Sequence, residues 1–176
     1  MVTLQNQSTA PNTPGDIKML IVCFSHSGNT REIANQIKNL TGADIFEIQP
    51  IDAYPESYNA VVAQAKKEIS GNFKPKLKTL TGIVENYGII FIGSPNWWST
   101  LAPPVATFLS VNKLEGKTII PFITHEGSRM GRSAADIKKY CPGSTILEGL
   151  PIRGSNVTGA LRDITSWLQN LGFNKR

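Results

Sequence analysis

Three short stretches of this sequence collect side chains that could do chemistry. The first is Ser25-His26-Ser27-Gly28-Asn29-Thr30, with three hydroxyls, an imidazole, an amide and a glycine in six residues. It lies between an apolar run and an amphipathic stretch, so it reads as the turn entering a helix. Backbone N–H groups at a helix start have no internal partner and sit at the positive end of the helix dipole, so such a turn can hold a phosphate without Lys or Arg. Gly28 lets the chain turn close to a ligand. Simple helix capping by Ser, Asn or Thr accounts for the same residues equally well. Neither the Walker pattern nor Gly-x-Gly-x-x-Gly is present.

The second stretch, Gly93-Ser94-Pro95-Asn96-Trp97-Trp98-Ser99, follows the most apolar run of the chain and reads as a loop. One indole can bury itself in a core. Two neighbours in a loop seldom both do, which leaves at least one stacking face for a flat aromatic ligand. The third stretch, Thr124-His125-Glu126-Gly127-Ser128-Arg129-Met130-Gly131-Arg132-Ser133, again mixes hydroxyls with glycines after an apolar run. Both histidines, His26 and His125, therefore fall in candidate ligand loops, although a solvated loop side chain explains either one as well. With no Cys or Asp cluster beside them they predict no metal site. No Ser/His/Asp or Cys/His arrangement at a recognisable spacing is present, so no catalytic residue is assigned.

These stretches need a frame to bring them together. Lys18–Phe24, Asp44–Gln49, Tyr87–Gly93, Lys117–Thr124 and a short or broken Ser144–Ile152 read as strands. They alternate with helical patterns at Thr30–Leu40, Tyr58–Ile69, Pro103–Val111, Ser133–Tyr140 and Asn156–Leu171. In the second helix Val61, Val62, Ala65 and Ile69 share a face. Such alternation predicts an α/β fold, a parallel sheet with helices on both faces, and ligands bound outside the carboxyl ends of the strands. The polar segment 1–16 reads as a flexible N-terminal arm and 17–176 as one domain.

Composition narrows the function classes. The two cysteines stand at distant, unpatterned positions and form neither a disulfide framework nor a metal signature. Residues 1–16 lack the features of a secretory signal, and no window approaches the ~20 apolar residues of a membrane span. The expectation is a cytoplasmic protein with no membrane partner. Net charge is +5, with ten basic against five acidic residues from Lys113 onward. No run of like charge interleaved with aromatics occurs, so nucleic acid is not an expected partner.

Taken in this order the three loops resemble the flavodoxin-like family, most closely its bacterial subgroup with Pro-x-Trp-Trp and Thr-His-x-Gly-Ser loops. The resemblance covers about Lys18 to Phe173 and includes Tyr54-Pro55, Tyr58, Gly116-Lys117 and Cys141-Pro142. It implies a flavodoxin-like doubly wound sandwich, with five parallel strands in the order 2-1-3-4-5, for which flavodoxin is the standard example, and FMN as cofactor. It also implies that Ser25, His26, Ser27, Gly28, Asn29 and Thr30 surround the FMN phosphate. Pro95, Asn96, Trp97 and Trp98 would line the isoalloxazine, and Thr124, His125, Glu126, Gly127 and Ser128 would border its other edge.

The implied function is electron transfer with a redox partner protein or a small-molecule acceptor. The alternative is an FMN-dependent NAD(P)H oxidoreductase acting on quinones, and a third reading is a binding module that holds no flavin. Several positions depart from the family. His26-Ser27 puts an imidazole beside the phosphate, Glu126 replaces a small neutral residue, and Arg129 and Arg132 flank the third loop. A pI near 9.3 also contrasts with the acidic surface usual for electron-carrier flavodoxins.

Overall fold

The computed structural model describes residues 17–173; the segment expected as an arm, 1–16, lies outside the described residues. In chain order the elements are β1 (Met19–Cys23), α1 (Asn29–Thr41), β2 (Asp44–Glu47), α2 (Tyr58–Ser70), β3 (Ile89–Trp97), β4 (Thr100–Leu101), α3 (Pro103–Val111), β5 (Thr118–His125), α4 (Ser133–Tyr140), β6 (Thr145–Ile146), β7 (Leu150–Arg153) and α5 (Leu161–Asn170). The sheet runs β2-β1-β3-β5-β6, with β7 also parallel to β5 and β4 antiparallel to β3. This is the expected order of five parallel strands, with the fifth split into β6 and β7 and a short antiparallel strand added.

Alternation along each strand divides the core between two faces. Leu20, Val22, Ile90 and Ile92 point to the side covered by α2, α3 and α4, where they meet Val61, Val105, Phe108 and Ile137. Ile21, Cys23 and Phe91 point the other way, to Ile33 and Ile37 of α1 and Ile164 and Trp167 of α5. Strands buried on both faces must be apolar throughout, which is why β1, β3 and β5 read as continuous hydrophobic runs. Both thiols are free and buried. Burial pushes Cys23 up to about 12 and Cys141 up to about 11.

Two elements outside the three chemistry-bearing stretches differ from the sequence pattern for identifiable reasons. The chain at Gly154–Gly159 forms a 3-10 turn before α5, where an α-helix from Asn156 was expected. Gly159 is a poor helix residue, while Val157 anchors the turn in the core and its carbonyl accepts a hydrogen bond from Gln36 Nε2 at 2.8 Å. In α2 the apolar face contains a carboxylate. Glu68 is buried and accepts hydrogen bonds from Tyr54 Oη at 2.6 Å and Gln64 Nε2 at 3.0 Å, which compensates for its desolvation.

Among the described residues no helix is long and apolar enough to cross a membrane, and no group of three His, Cys, Asp or Glu side chains is placed to hold a metal ion.

At the centre of the sheet β3 and β5 pair from Ile89↔Thr118 to Pro95↔Thr124. Gly93 sits in this ladder where a Cβ would lie 2.2 Å from Phe122 Cζ and 2.9 Å from Cys23 Cβ. Gly93→Ala therefore forces an overpacked sheet centre, with an expected loss of roughly 1–3 kcal/mol. The check is the urea midpoint at constant m-value; an unchanged midpoint would mean that Phe122 gives way freely.

Candidate functional site

The carboxyl ends of β1, β3 and β5 lie side by side because the three strands are parallel and in register. The three chemistry-bearing stretches therefore converge at one edge of the sheet. Between them opens a cleft of about 690 Å³, closed on its outer side by Tyr58, Val61, Val62 and Ala65 of α2. Its size lies within the roughly 300–1,000 Å³ usual for small-molecule sites.

The first turn enters α1 through Gly28, which takes a left-handed conformation (φ 99°) and caps the helix without a side-chain bond. The N-cap residue itself thus supplies no side-chain bond to this helix, and of the first-turn amides only that of Asn29 is taken up by a nearby side chain among the described residues. The serine hydroxyls shape the turn: Ser25 Oγ accepts from Gly28 N at 3.1 Å and Ser27 Oγ from Asn29 N at 3.4 Å. His26 Nε2 bonds Pro55 O at 2.9 Å. Thr30 is buried and shares a 2.8 Å hydrogen bond with Thr124 Oγ1, which fixes the start of α1 to the end of β5.

His26, Ser27 and Asn29 line the cleft, whereas Ser25, Gly28 and Thr30 do not. All of Pro95–Trp98 and Thr124–Ser128 line it.

The second stretch is not a loop. Strand β3 continues through Trp97, turns over Trp98 and Ser99, and returns as β4, with Trp97 opposite Thr100 and Asn96 opposite Leu101. Both turn residues have positive φ, 53° and 65°, as a two-residue hairpin of the right-handed twist requires. Glycine or asparagine normally fills such positions. A tryptophan and a serine there hold strain on the order of 1–3 kcal/mol each, which must be imposed by surrounding contacts.

Those contacts are present. Trp98 Nε1 donates to Val62 O at 3.0 Å, Arg132 N to Ser99 O at 2.8 Å and Asn96 Nδ2 to Arg129 O at 2.7 Å. Thr100 Oγ1 donates to Asp136. Gly131 approaches so closely that a Cβ would stand 2.4 Å from Ser99 O. The hairpin is thus clamped between α2 and the third stretch.

The two indoles have different environments. Trp97 is half-buried and meets Tyr54, Phe24 and His26 edge-on at centroid distances of 5.0, 5.6 and 6.0 Å. Trp98 is 46% exposed, with Lys66 Nζ 5.1 Å from its ring centroid. One indole therefore belongs to an aromatic wall, while the other is exposed and lines the cleft. The sequence reading had left out the α2 residues, Tyr54 as a wall member and Arg153. An apolar helix face carries no signal of which of its residues border a cleft.

The polar wall is unsatisfied. His125 is only 8% exposed and its Nδ1 has no partner among the described residues; Asn96 Oδ1 is likewise buried and unpartnered among them. Burial, reinforced by Arg129 and Arg153, holds His125 below its ordinary value against the opposing pull of Glu126. Glu126 folds over Gly154, where a Cβ would lie 2.2 Å from its Oε1 and 2.8 Å from Asn29 Nδ2. An anion-accepting turn, an aromatic face and unpaired polar atoms together suit a flat, polar-edged ring carrying a phosphate.

No functionally curated protein matches the chain in sequence. A protein from Bacteroides eggerthii described as a flavoprotein is similar in structure, with TM-score 0.77 and 28% identity over 88% of this chain and 98% of that one. One from Bacteroides uniformis gives 0.77 and 25% over 87% and 98%. A flavoprotein from Lactobacillus acidophilus, solved in complex with FMN, gives 0.65 and 23% over 81% and 97%, a likeness of fold. The family model described as flavodoxin matches residues 18–171, which spans all three stretches and the sheet that brings them together, so this chain belongs to the flavodoxin family.

Proposed function

We propose that the cleft binds one FMN non-covalently and that the protein transfers electrons through it. The observation that carries this reading is the convergence of a helix start without a side-chain cap and the exposed Trp98 face in one cleft of about 690 Å³. The Lactobacillus acidophilus neighbour, solved with FMN, supports the choice of ligand. Bound flavin would supply reversible one- and two-electron chemistry.

The chain's residues would do the holding and tuning. Amides of the 25–30 turn, with Ser25, Ser27 and Asn29 shaping it, receive the phosphate at the positive end of α1. Thr30 acts indirectly, by fixing the helix start to Thr124. Pro95, Asn96, Trp97 and Trp98 border the ring on one side, and Thr124–Ser128 on the other. An indole face disfavours added negative charge on the ring, whereas Arg129, Arg153 and N–H donors nearby favour it, so these groups set the potential.

Phosphate and ring binding can be separated by comparing FMN with riboflavin, which lacks the phosphate. Riboflavin is expected to bind at least about two orders of magnitude more weakly, and Trp98→Ala to weaken both ligands equally by roughly 1–3 kcal/mol. Flavin-fluorescence titration checks this. Equal affinity for the two flavins would refute the phosphate site, and an unaffected Trp98→Ala would refute stacking on that indole.

The basic residues around the third stretch favour a second reading, an NAD(P)H-dependent reductase, because Arg129 and Arg132, with Arg153 at the end of β7, would attract an anionic nucleotide. As a carrier, the holoprotein should oxidise NADPH in the presence of a quinone no faster than free FMN does. Rapid partner-free turnover would make it a reductase.

A further inference from the structure

A second cavity, of about 470 Å³, lies against the other side of the same hairpin. Trp98 and Ser99 face the flavin cleft, while Thr100 and Leu101 face this one. Helix α2 likewise lends Val62 and Ala65 to the first and Glu68 and Ile69 to the second. Neither the fold nor the proposed flavin site uses this cavity.

Its lining combines three cations with aromatic and apolar surface. Lys74, Arg132 and Lys139 stand around Leu101, Pro103 and Ala106, with Phe73 and Tyr140 completing the walls. The two carboxylates of the cavity are already engaged. Glu68 accepts from Tyr54 and Gln64. Asp136 accepts from Thr100 and lies 3.1 Å from Arg132 Nε and 3.6 Å from Lys139 Nζ, so it orients both cations and offsets part of their charge, which leaves Lys74 as the cation without a carboxylate partner among the described residues.

Lys74 Nζ bonds Asn72 Oδ1 at 3.1 Å and lies 5.7 Å from the centroid of the Tyr140 ring. Phe73 remains 56% exposed.

We propose that this cavity binds a flat aromatic ring carrying phosphate, a ligand of the nucleoside-diphosphate class. The ammonium and guanidinium groups receive its phosphates and Phe73 and Tyr140 receive its ring. An acidic peptide would satisfy the cations but leave the exposed aromatic face uncovered. Such a nucleotide sits behind the Trp98–Ser99 turn rather than against the flavin face, so its binding does not entail hydride transfer. It goes beyond the flavin reading and does not depend on it.

The test is a titration of FMN-saturated, isotope-labelled protein with ADP, followed by amide NMR, with adenosine and inorganic pyrophosphate as separate arms. Saturable shifts are expected at residues 72–74, 100–101 and 132–140, with ADP binding at least tenfold tighter than either fragment. Phe73→Ala and Lys74→Gln should each weaken ADP severalfold and leave FMN affinity unchanged.

Any one of four results overturns the proposal. They are no saturable shift, binding by pyrophosphate as tight as by ADP, shifts confined to residues 25–30 and 124–128, or variants that bind ADP like the parent. If FMN itself does not bind, the same titration of the flavin-free protein reads the second cavity independently.

Discussion

The register between β3 and β5 is the constraint on which the site depends. Their pairing continues to Pro95↔Thr124, two residues beyond Gly93, so the aromatic hairpin and the third stretch leave the sheet at the same height. The hydroxyl pair Thr30–Thr124 then ties the start of α1 to that edge. A slip of the ladder by one residue would invert the strand faces and separate the anion-accepting turn from the indoles. Gly93 protects this register, since only a residue without Cβ lets Phe122 pack across the ladder.

From that edge outward, the site is built by opposing tendencies. The Trp98–Ser99 turn holds backbone strain, and it persists because α2, Arg132 N and the close approach of Gly131 leave the hairpin no other path. The same clamp orients Asn96, whose Nδ2 is committed to Arg129 O while its Oδ1 lacks a partner among the described residues. Buried polar atoms left unpaired lower stability, and in a cleft wall they mark where a ligand's polar edge restores it. Rigid strands and strained, under-satisfied turns thus divide the tasks of support and recognition.

Much of this was legible in the sequence because periodicity records burial. Runs such as Ile89–Ile92 read as doubly covered strands, and the helices between them fixed the α/β class and the edge where ligands bind. The strand order came from resemblance, since no residue pattern states which strands are neighbours. The hairpin was missed because Trp and Ser at positive φ violate local preference and are held there by residues far away in sequence. Glu68 escaped notice for a similar reason: its partner Tyr54 is brought to it only by the folded chain. The three stretches were recognisable by composition, but the half-buried role of Trp97 against the exposed role of Trp98 is decided by Phe24 and Tyr54, which pack directly against Trp97.

The central claim is that an anion-accepting turn and an aromatic wall, brought to one sheet edge, hold FMN. The most direct test is the visible absorption spectrum of the freshly purified protein, followed by chromatographic identification of whatever denaturation releases. The account predicts a yellow protein, or a colourless one that retains about one equivalent of added FMN after free flavin is removed by gel filtration, with FMN as the flavin recovered. A protein that neither carries nor takes up FMN, or that releases only FAD, would contradict it.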